Sequence, residues 1–106
     1  MFVLMQCHHH PDMDAARDEH RPAHRAWVGS GGNGLVGVLI GSAMVDENGS
    51  SIGNWGVLDA ASMADARTFA EGDAFYKQGI VREIVLTALP DGFQADRITN
   101  PMSKRA

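Results

Sequence analysis

The feature that most restricts this chain is the run LVGVLIGSAMV-DENGS-SIGNWGVLDA beginning at Leu35, in which two apolar stretches flank a five-residue polar break. Asn48–Gly49 inside that break is a strong hairpin signal, because a tight reversal between strands needs residues that tolerate positive φ. Residues 35 to 58 are therefore expected to form an antiparallel hairpin in the middle of the chain. Gly37, Gly41, Gly53 and Gly56 weaken its strands but allow bulges and the close approach of a ligand or a second chain.

Helical and strand signals are arranged around this hairpin. FVLMQCH, residues 2 to 8, is short, apolar and rich in strand formers, and the Pro11 region ends it. From Met13 to about Val28, the positions Met13, Ala16, Ala23, Trp27 and Val28 fit one face of a helix. Pro22 predicts either a kink or a new helix starting near it, and both place His24 and Trp27 in a regular turn. Ser62 as an N-cap with Asp65 three residues on opens a second helix running to about Ala70. Gly72 interrupts it, DAFYKQ adds one more turn, and Gly79 is placed to end that turn. IVREIVLTAL is the last strand, stopped by Pro90. The order β-α-β-β-α-β gives an α+β, ferredoxin-like βαββαβ sandwich. Two helices on one sheet face leave the other face apolar and uncovered, which makes a homodimer formed through the sheet the economical way to bury it.

Residues 1–90 are read as a single domain, followed by a polar tail, 91–106, that is either loosely ordered or draped over a partner. Apolar residues make up 44% and charged residues 21%, which argues against a disordered chain. Nine Lys and Arg against thirteen Asp and Glu, with no basic stripe, argue against nucleic acid as a partner. No segment is long and apolar enough to span a membrane, and the N-terminus has none of the marks of a secretory signal. The single cysteine, Cys7, is expected to be a buried strand residue, and the expected location is the cytoplasm.

Several short motifs compete for a chemical role. GSGGNG, residues 29 to 34, matches G-x-G-x-x-G only formally through Gly29, Gly31 and Gly34, since a helix precedes it and a strand follows; it reads as a flexible connection. Ser30 and Ser42 follow glycines, but neither lies at a strand-to-helix elbow of the kind a nucleophile needs. His20 and His24 are four residues apart and could share a zinc ion with His8 or His10, yet the glutamate of H-E-x-x-H is missing. His20 reads as a surface residue, and no metal or cofactor is expected. The stronger candidates are His24 and Asp73, because a carboxylate bonded to an imidazole fixes its tautomer and raises its basicity. The competing role for Asp73 is to cap the AFYKQ turn through its side chain.

RPAHRAWV (21–28), VLIGSAMVDENGS (38–50) and SMADARTFAEGDAFYKQGIVREIVLTAL (62–89) together resemble the YCII-related family of small bacterial proteins, over nearly all of residues 2 to 89. The resemblance implies a ferredoxin-like fold that dimerises into an α/β barrel. It also implies an active-site pair formed by His24, in R-x-x-H, and Asp73, with Arg21 as the arginine of that motif. The family's Asp-Pro and Gly-Pro stand here as Asp73–Ala74 and Gly41–Ser42, changes that loosen the backbone without removing polar groups. Two functions follow from the resemblance. The first is a small cofactor-independent enzyme with His24 as general base or acid, Asp73 orienting it and Arg21 facing an anionic ligand. Trp27, Ser42 and Phe75 would contact the substrate, with Trp55 and Tyr76 as further walls, in dehydrochlorinase-type or lactone-isomerising chemistry on small aromatic-derived molecules. The second is a dimeric module that binds a small molecule or a protein partner without turnover.

Overall fold

The computed structural model describes all 106 residues. Strand β1 (Phe2–His9) alternates strictly, with Val3, Met5, Cys7 and His9 buried and the residues between them partly exposed. That period of two is what a strand with one face on a core requires. Helix α1 spans Asp14–Gly29, and a single left-handed turn, labelled α2, spans Gly31–Gly34. The hairpin comprises β2 (Gly37–Val45) and β3 (Ser51–Asp59). Helix α3 (Met63–Gly72), the turn α4 (Ala74–Lys77) and β4 (Val81–Ala88) complete the domain. The four strands form one antiparallel sheet in the order β2-β3-β1-β4. The chain is therefore an α+β, ferredoxin-like fold.

The core lies between the helices and the face of the sheet that carries Val3, Met5, Val38 and Leu58, into which α3 inserts Phe69 and Ala70. Ser62 caps α3 as expected, its hydroxyl accepting from the Asp65 amide at 3.1 Å. The opposite face is only partly covered, and Ile40 there is 43% exposed.

Three details choose among or revise the sequence expectations. Helix α1 continues through Pro22 as one element. The lost bond to the Asp18 carbonyl falls on an exposed stretch, where water can take the donor's place. The glycine-rich connection is a built turn, with Gly31, Gly32, Asn33 and Gly34 all at positive φ and the Ser30 hydroxyl accepting from the Asn33 amide. The C-terminal tail returns to its own chain instead of hanging loose. The Ser103 amide donates to the Val38 carbonyl, the Val38 amide to the Ser103 hydroxyl, and the Ala106 amide to the Gly34 carbonyl. No helix is long and apolar enough to cross a membrane.

Candidate functional site

Arg17, Arg21, Arg25 and Val28 recur at intervals of three and four along α1, so they lie on one stripe, with His24 beside Arg25. This stripe faces β2 and β3 across an open cavity of about 580 Å³. The register explains why there is space: Gly41 on β2 pairs with Gly56 on β3, next to Met5, so the floor has no side chains at these positions. Gly41 cannot be filled, since a Cβ there would sit 2.7 Å from the Trp55 carbonyl oxygen. Phe69 and Phe75 form the deep wall, and Met102 from the tail contributes at the rim.

His24 and Asp73 meet at this cavity. Nδ1 of the imidazole lies 2.8 Å from each oxygen of the Asp73 carboxylate, and the two side chains are 17% and 9% exposed. Asp73 is available for this contact because it sits between two helices, as C-cap of α3 and N-cap of α4, in extended backbone. Its carbonyl starts α4 by accepting from the Tyr76 and Lys77 amides, while its side chain caps nothing. The capping role allowed by the sequence is thus filled by the main chain. A carboxylate can only accept, so Nδ1 carries a proton; Nε2, the atom that bears the lone pair in the neutral imidazole, has no partner within the chain. The Phe75 ring lies flat on the imidazole, with centroids 4.1 Å apart and planes within 3°. The imidazole is held both at its edge and on its face.

A second polar cluster borders the same cavity. Arg17, 5% exposed, donates from Nη1 to His9 Nδ1 at 3.1 Å and from Nη2 to the Asp14 carboxylate at 2.5 Å. The other His9 nitrogen, Nε2, is 2.8 Å from Asn54 Oδ1. Burial, aided by the positive charge of Arg17, lowers the His9 pKa below its ordinary value, against the opposing pull of the Asn54 hydrogen bond. Nearby, burial and the negative charge of Asp73 push the Cys7 thiol up to about 12, so it is no nucleophile.

The remaining candidates divide. Arg21 lines the cavity and donates to Asp18 at 2.6 Å. Phe75 is a wall residue that also stacks on His24. Trp27 is not a wall. Its indole N–H donates to the Phe69 carbonyl at 2.9 Å, and its ring fills the space beside Gly32 and Gly72, so it is a packing residue. Ser42 pairs with Trp55, one residue out of phase with the Gly41–Gly56 pair. Both side chains therefore point to the sheet face away from α1, although both residues border the cavity. Tyr76 is 40% exposed and does not line the cavity. His8 is likewise out of phase with Cys7 and His9, on the far face from His24, and no three His, Cys, Asp or Glu side chains gather in a way that could hold a metal.

Reasoning from the sequence missed His9, Arg17, Arg25 and Asn54. The signals were present: His9 continues the inward positions Val3, Met5 and Cys7, and three arginines stand four apart.

The chain belongs to a known group, the YCII-related domain family, which matches residues 1–89. Among solved structures, it is similar to 5-chloro-2-hydroxyhydroquinone dehydrochlorinase (TftG) from Burkholderia phenoliruptrix, in complex with 2,5-dihydroxybenzoquinone. The TM-score is 0.73 at 18% identity, over 87% of this chain and 96% of that one. It also matches Rv0793 from Mycobacterium tuberculosis, with a TM-score of 0.47 at 13% identity, over 88% of this chain and 97% of that one. No functionally curated protein matches the sequence.

Proposed function

We propose that this protein is a small cofactor-independent enzyme that moves protons on a small, oxygen-bearing organic molecule, of the aromatic-derived or lactone-like kind. The observation that carries this reading is the His24–Asp73 bond, which leaves Nε2 as a free base beside the cavity. In this reading Nε2 takes a proton from the substrate and returns it at the next position. Asp73 holds the tautomer and balances the charge while the imidazole is protonated. Arg21 and Arg25 at the cavity wall favour an anionic substrate or intermediate. That TftG acts on a chlorinated hydroxyhydroquinone supports the choice of substrate class.

The test is chloride release from 5-chloro-2-hydroxyhydroquinone, together with deuterium exchange into a panel of hydroxyquinones and unsaturated lactones. His24→Ala should slow the reacting compound by about 10²- to 10⁴-fold, the usual contribution of a positioned base. Rates that His24→Ala leaves unchanged would sink the reading. Ligand binding without any turnover in the panel would instead identify a binding module.

The same reading takes the working unit as a cytoplasmic homodimer formed through the uncovered sheet face, where Leu4, Ile40 and Trp55 are all partly exposed. Sedimentation of the native chain should give twice the mass of 11.4 kDa. A monomer at micromolar concentration would remove the dimer from the proposal.

A further inference from the structure

The cluster beside the His24–Asp73 pair has a direction. Arg17 has only hydrogens to offer, so His9 Nδ1 must accept from it. A neutral His9 then carries its proton on Nε2, where it needs an acceptor, and this fixes Asn54 with Oδ1 toward His9. The amide nitrogen Nδ2 of Asn54 is consequently turned away. It makes no bond within the chain, and since no buried side-chain nitrogen or oxygen lacks a partner, it is accessible, on a residue that lines the cavity. His9 and His24 both touch Phe75, His9 edge-on at 5.6 Å between centroids, and Asn54 and His24 line the same cavity.

We propose that Asn54 is the donor that binds a carbonyl or enolate oxygen of the substrate, and that Arg17, acting through neutral His9, is the device that keeps its N–H₂ facing the cavity. The inference rests on the proton-transfer reading above and narrows it to substrates with an oxygen that gains negative charge as His24 removes the proton. A donor fixed in advance at that oxygen stabilises the enolate without reorganising during the reaction. Asn54 is the group that touches substrate; His9 and Arg17 are positioning residues.

Two measurements on the full chain test this. In ¹⁵N-resolved NMR, His9 should be the Nε2–H tautomer at neutral pH; an Nδ1–H tautomer or an imidazolium overturns the assignment whatever the protein catalyses. Calorimetric titration with 2,5-dihydroxybenzoquinone, an acidic planar quinone, tests the ligand side. Asn54→Ala should weaken binding by about ten- to a hundred-fold, the range for a hydrogen bond to a charged oxygen. Asn54→Asp keeps the acceptor for His9 but presents a carboxylate to the ligand, and should weaken binding further. His9→Phe should weaken binding too, and Asn54→Ala added to it should then cost less than two-fold, because the amide has already lost its orientation. Equal affinities for wild type and both Asn54 variants overturn the proposal, as does a wild type that does not bind the quinone. His24→Ala separates the two claims: if it retains turnover, the His24 reading falls while the Asn54 result stands.

Discussion

His24 and Trp27 are one turn apart on α1, and both reach the segment where α3 gives way to α4, yet they build opposite environments. His24 ends on the Asp73 carboxylate with its free nitrogen beside an open cavity. Trp27 ends on the Phe69 carbonyl, stacked on the Phe69 ring and closed in by Gly32 and Gly72. The first contact is polar and accessible, the second mostly apolar and sealed. One helix is thus tied to one junction twice, and the sealed contact can keep the open one in register. A base that must hold its geometry to within a fraction of an ångström benefits from rigid packing one turn away.

If that division of labour is right, the largest effect on stability comes from the sealed contact. Trp27→Ala removes a large half-buried ring and its hydrogen bond, and should cost about 3 kcal/mol, at the lower end for such truncations in a core. Urea denaturation reads the loss directly. Were Trp27 a substrate wall instead, the variant would lose affinity for 2,5-dihydroxybenzoquinone and keep its unfolding midpoint.

Gly72→Ala probes the same contact from the other side. A Cβ at Gly72 would lie 2.4 Å from Cζ2 of the indole, far inside contact distance, so α3 and α1 must shift apart. The expected cost is about 1–3 kcal/mol, as for other over-packed sites. Because Asp73 is the next residue, turnover should fall more than the stability loss alone explains. A variant of normal stability and rate would show that the two contacts are independent.

A smaller effect concerns pH. His9 faces Arg17, Asn54, His24 and Asp73, and its folded pKa lies below the ordinary value of 6.5. As pH falls, the unfolded chain takes up this proton first. The stability linked to His9 is therefore complete above pH 6.5 and is lost as pH drops toward and through the lower folded value. His9→Gln cannot titrate, so its stability should decline less steeply than wild type between pH 7 and pH 5. Parallel curves would show that His9 does not contribute.

Periodicity and turn chemistry made most of the architecture legible. The Asn48–Gly49 reversal, the apolar first strand and the Ser62 cap each follow from local rules, and all appear in the structure. The His24–Asp73 contact was legible only in part, since the residues are 49 apart and nothing local in the sequence brings them together. Resemblance to a family suggested the pair; the three-dimensional placement of Asp73 between two helices explains it. The His9–Asn54 bond, 45 residues apart, carried no such pointer. Trp27 and Ser42 mislead for different reasons. An aromatic residue near a site reads equally well as a wall or as core, and the face on which a strand residue stands depends on register. The shift between Val38 and Ile40 hides that register from simple counting.

Ser42 gives the smallest expected effect and the sharpest check on that register. Its hydroxyl donates to the carbonyl of the adjacent Ala43, and its side chain stands with Trp55 on the far side of the sheet from His24. Ser42→Ala should change stability by less than about 0.5 kcal/mol, as exposed substitutions generally do. Affinity for 2,5-dihydroxybenzoquinone should stay within two-fold. A ten-fold loss would mean that β2 presents its other face to the ligand, and the glycine floor formed by Gly41 and Gly56 would then no longer account for the cavity.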